Sequence, residues 1–144
     1  MLCIAARDLE QLRRHAEDVY PEECCGILLG QFEAEGRHVY STVRCQNACS
    51  EGRSTRFLID PREVMRAQRA GRELGLEIVG FYHSHPDHPP QWSPTDLREA
   101  HWIGCSYVIT GVESGKATTT NSFLLTGTLE ENKSFVQEGL SAAA

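Results

Sequence analysis

No stretch of the chain stays apolar for the roughly 18 residues that a membrane-spanning helix needs. Residues Met1 to Asp8 lack the apolar core of a secretory leader. The expectation from these two absences is a cytoplasmic protein. Internal repeats, linkers and low-complexity blocks are missing as well, so residues 1–144 read as a single domain. Basic residues are outnumbered: 14 Lys and Arg against 20 Asp and Glu leave a net charge of −6. That balance argues against nucleic acid and against anionic membrane surfaces as partners.

What is present is ordinary globular material. A hydrophobic content of 40% with 24% charged residues suits a chain of this length that buries a real core. The six cysteines, Cys3, Cys24, Cys25, Cys45, Cys49 and Cys105, read as reduced thiols in a cytosolic protein, several of them buried as small hydrophobes. Cys24 and Cys25 fall on opposite faces of a strand, which puts at least one in the core. The Cys45-x-x-x-Cys49 spacing is a weak metal motif, with no second pair or histidine beside it. A cysteine nucleophile stays open in principle, but no basic partner can be assigned to one.

Periodicity and punctuation give a mixed order of elements. Leu9, Leu12, Ala16 and Val19 make an apolar stripe, so Asp8 to Val19 reads as a helix with Asp8 as N-cap and Pro21 beyond its end. Strands are expected over Cys24–Gln31, His38–Arg44, Arg56–Ile59, Ser106–Thr110 and Thr118–Leu125. Cys45 to Thr55 is polar and irregular. Asp60-Pro61 opens a second helix that runs to Leu74, presents Val64, Met65, Ala67 and Leu74, and stops at Gly75. Glu130 to Leu140 fits helix or strand, and Ser141 to Ala144 reads as a frayed tail. The sum is an α/β domain with a mostly antiparallel sheet and helices packed against it.

One stretch carries chemistry. Leu76 to Tyr82 is an apolar strand that runs into His83-Ser84-His85-Pro86. Side chains two apart on a strand point the same way, so His83 and His85 can reach one small cation. A short loop containing His88, read as solvated, and Trp92 leads to Ser93-Pro94-Thr95-Asp96. This tetrad is a helix start, with Ser93 as N-cap, Pro94 at the first helical position and Asp96 reaching back. It holds a carboxylate near the end of the histidine strand. Two imidazoles and one carboxylate suit Zn²⁺ with an open position for water. Ca²⁺ and Mg²⁺ sites are built from oxygens, which argues against them here. Non-haem iron uses the same ligand types and remains a second reading. The His-x-Glu and Pro-Cys-x-x-Cys of the zinc nucleobase deaminases are absent, as are the further acid and second histidine block of a cupin.

His83-Ser84-His85-Pro86 followed by Ser93-Pro94-Thr95-Asp96 resembles the JAMM motif of the MPN-domain metallopeptidases. The upstream Pro21-Glu22-Glu23-Cys24-Cys25-Gly26 resembles that family's Pro-x-Glu-x-Cys-Gly stretch. Three separated segments agree in order and spacing, from the first helix to the strand near Val108. The resemblance implies the cytidine-deaminase-like α-β-α sandwich of MPN domains. It implies Zn²⁺ on His83, His85 and Asp96, with Glu23 as general base and Ser93 as donor to the oxyanion. By residue type alone Glu22 serves as well as Glu23, and Ser93 is equally an N-cap. The short chain is most similar to the bacterial branch that processes ubiquitin-like sulfur-carrier proteins. The implied reaction is hydrolysis of a peptide or isopeptide bond after the carrier's Gly-Gly tail, bound as an added strand. Trp92 reads as a contact for that tail or as an anchor under its loop. A non-catalytic MPN-type binding scaffold is the alternative, although such scaffolds typically lack ligand residues and all three stand here. The carrier's identity and the oligomeric state are not legible in the sequence.

Overall fold

The computed structural model describes residues 1–143. In chain order the elements are β1 (Leu2–Ala5), α1 (Ala6–Val19), β2 (Cys25–Glu33), β3 (Gly36–Cys45), α2 (Pro61–Glu73), β4 (Glu77–Pro86), α3 (Pro94–Glu99), β5 (Ser106–Glu113) and β6 (Lys116–Thr126). A 3₁₀ turn (Glu130–Asn132), β7 (Ser134–Glu138) and β8 (Leu140–Ala143) follow. Among the described residues the strands form one sheet in the order β7-β6-β5-β4-β2-β3-β1-β8. β4 and β5 run parallel, as do β1 and β3, and β1 and β8. The other neighbours are antiparallel. The sheet is therefore mixed, with antiparallel pairs in the majority.

Helices cover both faces. Leu12 and Ala16 of α1 pack on Cys24, Leu28, Val79, Tyr82 and Val108. On the opposite face Ala67 of α2 packs with Cys25, Ile27, Leu29 and Phe81. Central strands buried from both sides read as unbroken apolar runs, which is why β2 and β4 stand out in the sequence. Cys24 and Cys25 do face opposite ways, and both are in the core. Gly26 sits opposite Tyr82 in the β2–β4 ladder. A Cβ at Gly26 would come within 2.0 Å of the Tyr82 ring. That ring cannot retreat, because its hydroxyl is hydrogen-bonded to buried His15 at 2.7 Å. Gly26→Ala is expected to cost about 1–3 kcal/mol by overpacking, a fall in Tm of roughly 3–10 °C on a thermal melt.

Several expected boundaries move. α1 begins at Ala6 without a side-chain cap, because β1 runs straight into it; Asp8 lies buried in its first turn. Arg56–Ile59 is not a strand: its backbone bonds go mostly to the side chain of Asn47. α2 starts and stops as read, with the Asp60 side chain accepting from Arg62 N and Gly75 at φ +72°. It buries Ala67 and Gly71, whereas Met65 and Leu74 face out. α3, which the sequence pattern carries to about His101, ends at Glu99. Residues 134–138 are a strand.

The expected frayed tail at 141–144 is also corrected. Residues 141–143 belong to β8, which pairs in parallel with β1; Ala144 lies outside the described residues. β1 would otherwise be an open edge, and β8 satisfies its outward backbone groups. Only Gly139 joins β7 to β8, so the chain passes directly from one end of the strand order to the other. The sheet must curl for this to happen. Glu138 fastens the closure: it pairs with Arg37, and accepts from the hydroxyls of buried Ser106 and Ser122 at 2.6 and 2.8 Å.

Candidate metal centre

β4 lies between β2 and β5, with His83 opposite Cys25 on one side and Ile109 on the other. Strand alternation sends His83 and His85 to one face, and buried Ser84 to the other, where its Oγ accepts from Cys24 N at 2.8 Å. The turn after Pro86 is pinned by Asp87, at φ 57°, whose carboxylate accepts from Tyr20 OH at 2.6 Å and Ser114 N at 2.9 Å. At the start of α3 the capping box forms as its spacing predicts: Ser93 Oγ accepts from Asp96 N, and Asp96 Oδ2 accepts from Ser93 N at 3.0 Å.

That same Oδ2 lies 3.1 Å from His85 Nε2 and 3.4 Å from His83 Nε2. The two Nε2 atoms are 3.2 Å apart. His85 Nδ1 is 2.9 Å from the carbonyl of Pro89. A carbonyl only accepts, so Nδ1 holds the hydrogen and Nε2 faces the cluster. His83 is held differently, by the ring of Phe57 stacked on it at 4.4 Å and 24°. Burial lowers the His83 pKa. Burial acts the same way on His85, but the Asp96 carboxylate and the Pro89 carbonyl outweigh it and raise its pKa. Burial also opposes ionisation of Asp96, yet its hydrogen bonds from His83 and His85 hold it far below the usual carboxylate range. Two imidazole nitrogens and one carboxylate oxygen thus converge within 3.4 Å of one another. This donor set fits a divalent cation of borderline softness, and its second-sphere bond from His85 to a carbonyl is of the kind metal-bound histidines make. Among the described residues these three form the one cluster with such convergent atoms. Cys45 and Cys49 are free thiols, as are the other cysteines.

Glu22 and Glu23 are separated by position. Glu22 is exposed; Glu23 is 5% exposed. Glu23 Oε1 is buried without a hydrogen-bond partner. Burial pushes the Glu23 carboxyl up to about 8, against the pull of His85. Burial also raises the Cys24 thiol to about 12 and carries Cys25 higher still, so neither is poised as a thiolate. Two cavities border the cluster. One, of about 360 Å³, is lined by Glu23, His85 and Ser93 together with Ser54 and Thr55. The other, of about 600 Å³, touches His83 and Asp96 and is walled by apolar side chains including Phe57, Ile59, Val64 and Trp102. Trp92 is 37% exposed and packs its ring on Phe135 at 5.6 Å, the anchor role with one side left open. His88 is exposed, as read.

The family described as prokaryotic homologs of the JAB domain matches residues 5–126. The chain belongs to this family. It is a JAMM-type peptidase with the MPN fold that its motif implied. One relative, the desampylase of Haloferax volcanii, is 37% identical over 110 residues, covering 75% of this chain and 77% of that one. A second, from Thermus thermophilus, carries the name "Probable TtuB-protein conjugate cleaving protease" and is 33% identical over 109 residues, 76% of this chain and 69% of its own length. A solution structure of a protein from Desulfitobacterium hafniense superposes with a TM-score of 0.81 at 28% identity, over 99% of this chain and 94% of the other. Sequence reasoning passed over Phe57, whose ring lies on His83, and Asn47, whose Nδ2 donates to the Glu23 carbonyl. The usable signal was an Asn in an irregular segment, since Asn side chains commonly stand in for backbone partners in turns.

Proposed function

We propose that this chain is a zinc-dependent peptidase that hydrolyses the peptide or isopeptide bond after the Gly-Gly tail of a ubiquitin-like sulfur-carrier protein. The observation that carries the reading is the convergence of His83, His85 and Asp96 beside a buried carboxyl, Glu23, that has no hydrogen-bond partner. The names of the two relatives, a desampylase and a conjugate-cleaving protease, support a conjugate as substrate. His83, His85 and Asp96 would hold the metal. When bound there, zinc supplies Lewis acidity and brings the pKa of a coordinated water to about 7. The family motif favours zinc over iron. No membrane-spanning helix exists among the described residues. Six free thiols suit the reducing cytoplasm, where we place the enzyme.

The chain's own residues divide the remaining work. Glu23 shares a cavity with His85 and Ser93. Its elevated proton affinity suits a group that takes a proton from the attacking water and returns it to the leaving amine. The Ser93 hydroxyl accepts from Asp96 N with one lone pair, which leaves its hydrogen for the developing oxyanion. β4 is already paired with β2 and β5, so the tail cannot add to it as a strand as expected. The apolar cavity beside His83 and Asp96 is the route open to it, and glycines at its end would let backbone approach closely.

The test uses a carrier joined through its Gly-Gly carboxyl either to a lysine side chain or to a short linear extension. Free carrier should appear from at least one of the two, cease with a chelator, and return with added zinc. Release that persists in chelator contradicts the metal reading. Zinc-loaded enzyme that binds the carrier and releases nothing favours the scaffold instead.

A further inference from the structure

We propose that Asn47 is a positioning residue that ties Glu23 to the metal cluster through Phe57. The inference rests on the reading of His83, His85 and Asp96 as zinc ligands. Residues 46–60, between β3 and α2, have no helix or strand. This segment nevertheless grips Glu23 at both backbone groups. Glu23 N donates to Arg53 O at 2.7 Å, and Glu23 O accepts from Asn47 Nδ2 at 3.2 Å. The same Nδ2 donates to Arg56 O at 2.9 Å, while Oδ1 accepts from Leu58 N at 3.2 Å and Cys49 N at 3.1 Å. Two carbonyls and two N–H groups fix which end of the amide is which, and all four of its hydrogen-bonding positions are used.

Arg56 O and Leu58 N bracket Phe57, so Asn47 sets the backbone on both sides of that residue. Phe57 in turn lies flat on the His83 ring. The Pro89 carbonyl aims His85 through a hydrogen bond; Phe57 aims His83 by packing. One amide side chain therefore fixes the backbone of the acid–base residue and the support of a metal-ligating ring. Neither Asn47 nor Phe57 lies in the histidine, capping-box or Glu23 segments of the motif. A residue that merely braced a loop would not move metal affinity, and this one should. Partners that orient a metal-bound histidine typically change metal affinity 10–100-fold when removed.

Zinc affinity, read by competition with a chromophoric chelator on the full chain, tests this without reference to turnover. Phe57→Leu should weaken zinc by about 10–100-fold, and Phe57→Tyr, which keeps the ring, should stay near wild type. Asn47→Asp is isosteric but removes both N–H donations, and should weaken zinc by about 10-fold. The double variant Asn47→Asp with Phe57→Leu should bind no worse than Phe57→Leu alone, since both act through one contact. Wild-type affinity in both single variants, or losses that simply add, overturns the proposal. If Asn47→Asp lacks a cooperative melt, the Phe57 pair decides: equal affinity in Leu and Tyr overturns it. His85→Ala is the control. Wild-type zinc binding there would bring down the ligand reading itself, whereas zinc lost in His85→Ala but unchanged in the Asn47 and Phe57 variants sinks this inference alone.

Discussion

Glu23→Gln should leave zinc in place, cut turnover by about 10²–10⁴, and make the metal-free protein more stable. The first two effects follow from removing a proton acceptor while keeping its shape. The third follows from the cost of the acceptor. In the unfolded chain this carboxyl ionises near 4.5; in the fold burial pushes it up to about 8. An acid whose folded pKa is raised destabilises the fold at every pH where the unfolded chain ionises it. The penalty begins near the unfolded value, grows as pH rises, and levels off above about 8. At pH 8 its size is on the order of 2–4 kcal/mol. The neutral amide of Gln does not incur it. Melting curves of metal-free wild type and Glu23→Gln should nearly coincide near pH 4.5 and separate as pH rises, with the mutant higher. Glu22→Gln, at an exposed position, should change neither turnover nor Tm. A buried carboxyl that costs stability and has an oxygen without a hydrogen-bond partner is the pattern of a functional group rather than a packing one. Equal Tm values at pH 8, or a turnover effect in Glu22→Gln instead, would contradict this assignment.

His85→Ala should abolish zinc binding and with it the reaction. Elemental analysis of wild type purified without added metal should give about one zinc per chain, as a three-ligand site holds a single ion. His85→Ala should give almost none. The same loss is visible without substrate. Free zinc at 100 times its Kd stabilises a protein that binds it only when folded by about 2.7 kcal/mol. That corresponds to a rise in Tm of roughly 9 °C for a chain of this size. The rise should vanish in His85→Ala. Full zinc occupancy in the mutant would mean that the ligands lie elsewhere.

The convergence of His83, His85 and Asp96 was legible in the sequence because its logic is local. A period-two pair on an apolar strand and a capping box whose Asp96 lies eleven residues after His85 are short-range signals, and the hydrogen bonds of Ser93 and Asp96 follow their spacing. The choice between Glu22 and Glu23 was not local. Residue type left the two equal; the motif's spacing to Cys25-Gly26 pointed to Glu23, and the fold separates them by burying Glu23 and exposing Glu22. The far ends of the sheet were hidden for a related reason. β1 and β8 are short, and Leu140-Ser-Ala-Ala carries no β-branched signal; they pair because the curled sheet brings them together through the Arg37–Glu138 closure. Arg56–Ile59 misled because Phe57 and Ile59 are spaced as in a strand, while the partners of that backbone are mostly the atoms of one side chain, Asn47, with Ala48 N on Leu58 O. An amide that replaces a strand leaves no periodicity to read.

One bond, after a Gly-Gly tail, should be cut by a metal-dependent site. Intact-mass spectrometry of a folded sulfur-carrier protein extended by one or a few residues past Gly-Gly addresses it most directly. After incubation with zinc-loaded enzyme the mass should fall once, by the weight of the extension, and end at Gly-Gly. The fall should be absent with chelator and strongly slowed with Glu23→Gln, while a denatured bystander protein in the same tube stays intact. An unchanged mass across a panel of such carriers, with zinc shown to be bound, or cuts scattered through the bystander, would contradict it.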